Sequence, residues 1–119
     1  MRATREIGRG IEARAQRFLE RQGLELLASN YTCRVGELDL VLLDGDTLVV
    51  AEVRYRARSD YGRAEETVDA RKQARLVRTT EHFLLTHERY CELPVRFDVL
   101  AVAGAGGQTL TWIRDAFQA

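Results

Sequence analysis

Three acidic side chains sit where they could do chemistry together: Glu37, Asp39 and Glu52. They lie in two strand-like runs, Glu37–Leu43 and Thr47–Tyr55, joined by Asp44-Gly45-Asp46, a strong hairpin signal. Side chains alternate along a strand, so Glu37, Asp39 and Val41 share one face, and Leu48, Val50, Glu52 and Arg54 share a face of the next strand. A two-residue loop at Gly45-Asp46 pairs Leu43 with Leu48, Asp39 with Glu52 and Glu37 with Arg54. A loop at Asp44-Gly45 pairs Glu37 with Glu52 instead. An odd-length loop would put Glu52 beside Leu38 and scatter the acids. The even register also sets Leu38, Leu40 and Leu42 opposite Val49, Ala51 and Val53 as one apolar layer, and it is the register expected here.

Carboxylates facing each other on half-buried strands repel. A divalent cation is the simplest compensation, and oxygen ligands of this kind suit Mg²⁺ or Mn²⁺, with water and a phosphate completing the shell. The competing arrangement is a charge lattice, with Glu37 paired to Arg54 and Glu52 to another arginine. Basic residues follow at once. The stretch from Arg54 to Arg78 carries a net excess of four positive charges in a chain of zero formal net charge. That is enough for a local basic face. Within it, Arg71, Arg75, Arg78 and His82 recur at four-, three- and four-residue steps, one stripe on a helix that either tracks phosphates or faces solvent. The segment with Arg56, Arg58 and Tyr61 follows directly from the acidic strand and is expected to touch substrate. Lys72 is the only lysine in the chain, so any step needing a lysine amine must use it.

The elements that must position these residues can be read from periodicity. Residues from Ile7 to Gln22 have helical spacing, with Ile11, Ala15, Phe18, Leu19 and Gln22 on one face, Glu12 at its border and Gly23 as the stop. Leu24–Tyr31 reads as a first strand and Val68–His87 as a second helix. Val95–Val102 and Leu110–Arg114 read as closing strands, the last followed by a short helical end. The order α-β-β-β-α-β-β predicts an α/β fold with a central mixed sheet flanked by helices. Arg96 and Asp98 are expected to form a structural salt bridge, and Trp112 to lie in the core.

At 119 residues the chain suits a single domain spanning 1–119. The absence of a long apolar run predicts no membrane span and a cytoplasmic location. Cys33 and Cys91 are expected to be free thiols.

Taken together, Gly8-x-x-x-Glu12, Gly36-Glu37-Leu38-Asp39, Glu52-Val53-Arg54-Tyr55-Arg56, Tyr61-Gly62, Lys72 and Arg96-Phe97-Asp98 resemble the YraN-like family of bacterial proteins. That family resembles the PD-(D/E)XK nucleases, most closely the archaeal type of Holliday-junction resolvase. The resemblance implies a restriction-endonuclease-like fold. It implies that Asp39 and Glu52 hold Mg²⁺ or Mn²⁺, with help from the Val53 carbonyl, and that Glu12 is an accessory carboxylate. Glu37 belongs to the narrower family's own pattern.

The same resemblance sets Arg54 in the place of the motif lysine, and arginine cannot accept a proton. Three outcomes follow: Arg54 acts as an electrostatic clamp, Lys72 moves in, or cutting is lost while binding remains. The expected activity is a metal-dependent endonuclease on branched or damaged DNA, with DNA preferred to RNA and a homodimer suited to cutting two strands. The alternatives are a non-catalytic nucleic-acid-binding protein on the same fold, and a charge-rich scaffold that binds neither metal nor nucleic acid.

Overall fold

The structure, a computed structural model, describes residues 2–56, 68–104 and 109–119, with side chains from Arg9 onward. Helix α1 (Arg2–Arg21) leads into three antiparallel strands, β1 (Glu25–Thr32), β2 (Glu37–Asp44) and β3 (Thr47–Arg56). Helix α2 (Ala70–Thr86) then carries the chain back to β4 (Val95–Ala103), which lies parallel to β3, and β5 (Thr109–Phe117) closes the sheet antiparallel to β4. The strand order is β1-β2-β3-β4-β5. A parallel pair needs a long crossover, and α2 supplies it. This is the mixed-sheet α/β arrangement expected of a restriction-endonuclease-like fold.

The β2–β3 hairpin has the register expected of a Gly45-Asp46 loop: Asp44 pairs with Thr47, Leu43 with Leu48 and Leu40 with Ala51. Gly45 takes the positive φ of 61° that this tight turn demands. Each face of the sheet buries its own apolar layer. On the α1 face, Ala15 and Leu19 pack on Leu40, Leu42, Val49, Ala51 and Leu100. On the α2 face, Leu76 and Phe83 pack on Val41, Leu48, Val50, Phe97 and Val99.

One expected neighbour changes layers: Leu38 joins Leu76 and Phe83 on the α2 face rather than Leu40 and Leu42 on the other. The cause lies across the ladder. Asn30 has φ of 52°, a left-handed conformation that asparagine tolerates better than most residues. The pairs Ser29–Leu40 and Tyr31–Leu38 flank it. Both strands break alternation at that level, and Asp39 is the β2 residue at the break.

β5 also departs from expectation, because it continues as a strand to Phe117 with no helical end. Asp98, with no exposed surface, accepts hydrogen bonds from Arg96 Nε (2.9 Å), Arg96 Nη2 (3.0 Å), Trp112 Nε1 (2.9 Å) and the Asp115 N–H (2.9 Å). Phe117 stacks on Phe97 with ring centroids 4.8 Å apart. These tertiary contacts hold the segment extended through the irregularity at Asp115, where φ is 52°. The expected Arg96–Asp98 pair is therefore present, and Trp112 is half-buried against the edge of Phe18. Both cysteines are free. Among the described residues, no helix is long and apolar enough to cross a membrane.

Candidate metal centre and cleft

The regular β2–β3 ladder stops at Leu40–Ala51. The next pair in the same register is Asp39 and Glu52. There the two side chains take over the work of the backbone. The Asp39 N–H donates to Glu52 Oε2 (3.2 Å), and the Val53 N–H donates to Asp39 Oδ2 (2.9 Å). Meanwhile β1–β2 pairing continues to Thr32–Glu37, and β3–β4 pairing continues to Arg56–Ala103. The sheet thus splits between its second and third strands, and the two carboxylates stand in the fork.

A cleft of about 380 Å³ opens there, lined by Cys33, Gly36, Glu37, Asp39, Glu52, Lys72 and Arg75 among others. Its far wall is α2. Asp69 caps that helix, its side chain accepting from the Lys72 N–H at 2.8 Å, and this fixes the first turn against the fork. Gly36 allows the β1–β2 turn to approach α2. A Cβ there would lie 2.8 Å from Thr79 Oγ1 and 3.3 Å from the Arg75 side chain. The Arg75 stem is thereby held at the cleft wall.

Electrostatically the fork is strained. Glu52, only 3% exposed, has its carboxyl pushed up to about 8, first by burial and then by the neighbouring Asp39. Burial also raises the Asp39 carboxyl, an effect opposed by the Val53 hydrogen bond and the Lys72 charge. Lys72 Nζ lies 3.8 Å from Glu52 Oε1. Apart from that ion pair, neither Glu52 Oε1 nor Asp39 Oδ1 is engaged among the described residues.

The other candidates are placed unequally. Glu37 is exposed at the cleft rim, with Thr32 Oγ1 donating to its Oε2 at 3.4 Å. Glu12 approaches from the opposite, α1 face, beside Asn30 and Ser29. Its carboxyl is raised by burial and by Asp39, against a hydrogen bond from Asn30. Among the described residues, no three His, Cys, Asp or Glu side chains converge as a metal-holding group. Any ion held here would draw on two carboxylates, backbone and water.

Among the described residues Arg54 does not pair with Glu37, nor Glu52 with an arginine, so the alternative charge lattice is not found among them. Arg54 Nε and Nη2 are buried and have no hydrogen-bond partner among the described residues. Arg56 is exposed at the end of β3, and Arg71 is exposed beside Lys72. Arg58 and Tyr61 lie outside the described residues. His82 leaves the basic stripe, because its Nδ1 is 2.6 Å from the Tyr31 hydroxyl, in a half-buried contact. Sequence reasoning missed Cys33 and Asn30. Neither has a distinctive local pattern: Asn30 meets Glu12 from β1, and Cys33 lines the cleft from the β1–β2 turn.

The uncharacterised protein family UPF0102 matches residues 11–102. Curated relatives described as UPF0102 proteins include one from Ectopseudomonas mendocina, 49% identical over the whole of both chains. One from Stutzerimonas stutzeri is 48% identical, covering 99% of each chain. Another from Pseudomonas aeruginosa is 48% identical, covering 98% of this chain and 96% of the relative.

Proposed function

We propose that this chain, which belongs to the uncharacterised protein family UPF0102, is a divalent-metal-dependent endonuclease acting on DNA, with branched or damaged duplexes as its substrates. The observation carrying this reading is the fork itself. The buried carboxylate of Glu52 and the half-buried one of Asp39 face a wall bearing Lys72 and Arg75 across one cleft. An acidic floor opposite a basic wall suits a phosphodiester held between a cation and arginines.

The donor set fits a hard divalent ion. Among the described residues Asp39 Oδ1 has no hydrogen bond and Glu52 Oε1 has only its 3.8 Å contact with Lys72, and a cation would offset the cost of burying the two carboxylates side by side. Strand geometry turns the C=O of a residue to the same side as its N–H, so the Val53 carbonyl also faces the fork. Mg²⁺ or Mn²⁺ bound there would lower the pKa of a coordinated water and offset charge on a phosphate.

The chain's own groups do the rest. Asp39 and Glu52 hold each other's strand in place through the two N–H contacts. Glu37 at the rim and Glu12 from behind orient water around that pair. Arg75 and Arg71 hold flanking phosphates, with Arg56, Arg58 and Tyr61 as further substrate contacts, so binding weakens with salt. A second reading, a nucleic-acid-binding protein without turnover, draws support from the unpaired Arg54 and the absence of a third converging ligand among the described residues.

Incubation of purified protein with four-way, flap and linear DNAs in Mg²⁺ or Mn²⁺ separates the two. Cleavage abolished by Asp39→Ala and by Glu52→Ala supports the nuclease. Cleavage indifferent to both substitutions sinks the assigned site. Salt-sensitive binding that survives EDTA, with no turnover, establishes the second reading instead.

A further inference from the structure

Hydrolysis of a phosphodiester joins a water oxygen to phosphorus and breaks the bond to one ester oxygen, which leaves with the electron pair. That oxygen takes a proton from solvent, and the attacking water gives one up. Negative charge builds on the nonbridging oxygens during the exchange. A site floored by carboxylates therefore needs a protein cation able to touch those oxygens.

Arg75 also lines the cleft, but Lys72 and Arg54 are the two cations whose charge acts on both carboxylates, and the structure treats them differently. Arg54 has Nε and Nη2 withdrawn from solvent without a partner and forms no ion pair with Asp39 or Glu52 among the described residues. Lys72 lines the open cleft, its side chain 35% exposed. Its backbone is fixed by the Asp69 cap at 2.8 Å, and Leu76, one turn on, is buried. Only the flexible stem is left to move. An ammonium has three donors, and Glu52 Oε1 at 3.8 Å engages at most one of them. The Lys72 charge also offsets the burial of both carboxylates more than the Arg54 charge does.

We infer that Lys72, from the helix wall, supplies the ammonium that contacts the nonbridging oxygens of the scissile phosphate, while Arg54 provides background positive charge without touching substrate. This rests on the nuclease reading above. Glu52 then has two duties, as an ion ligand and as the tether that holds the ammonium at the cleft when no substrate is present.

Because the chain has one lysine, the test can be made unusually clean. Lys72→Ala is expected to lower kcat on DNA about 100-fold, the usual loss for one transition-state donor, with KM changed less than about threefold. The stabilisation of the same variant by Mn²⁺ in thermal unfolding should persist. Reductive methylation of the wild-type protein with ¹³C-formaldehyde labels Lys72 and the terminal amine. The Lys72 methyl signal is expected to shift when four-way DNA is added in Ca²⁺. A kcat within about threefold of wild type for Lys72→Ala, a loss confined to KM, or a Lys72 signal unmoved by DNA would each overturn this role. Wild-type protein that cuts none of the DNAs would overturn the nuclease reading beneath it.

Discussion

Replacing Glu52 by glutamine should stabilise the protein, and increasingly so as the pH rises. A carboxyl moved from 4.5 in the unfolded chain to about 8 in the folded fork keeps a proton that the unfolded chain has already released. Rising pH therefore drains folding stability through that window and stops doing so above it. At about 1.4 kcal/mol per unit, the penalty reaches about 2 kcal/mol at pH 6, about 3 kcal/mol at pH 7 and nearly 5 kcal/mol at pH 9. Glutamine keeps the shape and an oxygen for the Asp39 N–H but carries no charge. The exposed half of its contact with Lys72 is worth little. Urea unfolding in EDTA, followed by the fluorescence of the single tryptophan, Trp112, measures both proteins across this range. The gap between variant and wild type should widen by about 2–3 kcal/mol from pH 6 to pH 9. Stability curves that run parallel, with a gap constant to about 0.5 kcal/mol, would refute a proton shared into the fork by burial.

Ion binding should show the same proton. In thermal unfolding or calorimetry, apparent Mn²⁺ affinity should rise close to tenfold between pH 6 and pH 7, because Glu52 must deprotonate to ligate, and should flatten above pH 8.5 or so. An affinity independent of pH there would count against Glu52 as a ligand. Away from the cleft, Asp98→Ala leaves the Arg96 side chain, the Trp112 N–H and the Asp115 N–H without their shared acceptor. A loss of about 3–5 kcal/mol in urea unfolding is expected, with β5 the first segment to lose amide protection in hydrogen exchange.

Much of this was legible in the sequence, because its governing signals are local. Alternation in Glu37–Leu43 and Thr47–Tyr55 and the Asp44-Gly45-Asp46 turn are enough to set a hairpin register. That register puts Asp39 opposite Glu52. What escaped depends on contacts distant in sequence. Leu38 changes layers because Asn30, on another strand, takes a left-handed backbone. Arg114–Phe117 stays extended because Asp98 and Phe97 grip it, contacts that override weak local preference. His82 sits on the right helical stripe for phosphates, yet Tyr31 claims it. Which of two cations leans into the fork depends on how α2 is capped and docked, and no spacing along the chain encodes that.

In an ordinary hairpin, main-chain pairing and side-chain chemistry are separate concerns. Here the last rung of the ladder is made of the acidic groups themselves, each holding the amide of the opposite strand. Whatever occupies those oxygens, whether a proton, an ion or a phosphate's counter-charge, must also loosen or tighten the seam between β2 and β3. The amides of Asp39 and Val53 are therefore built-in reporters. Their exchange rates should read the occupancy of the cleft with no label attached and no substrate known.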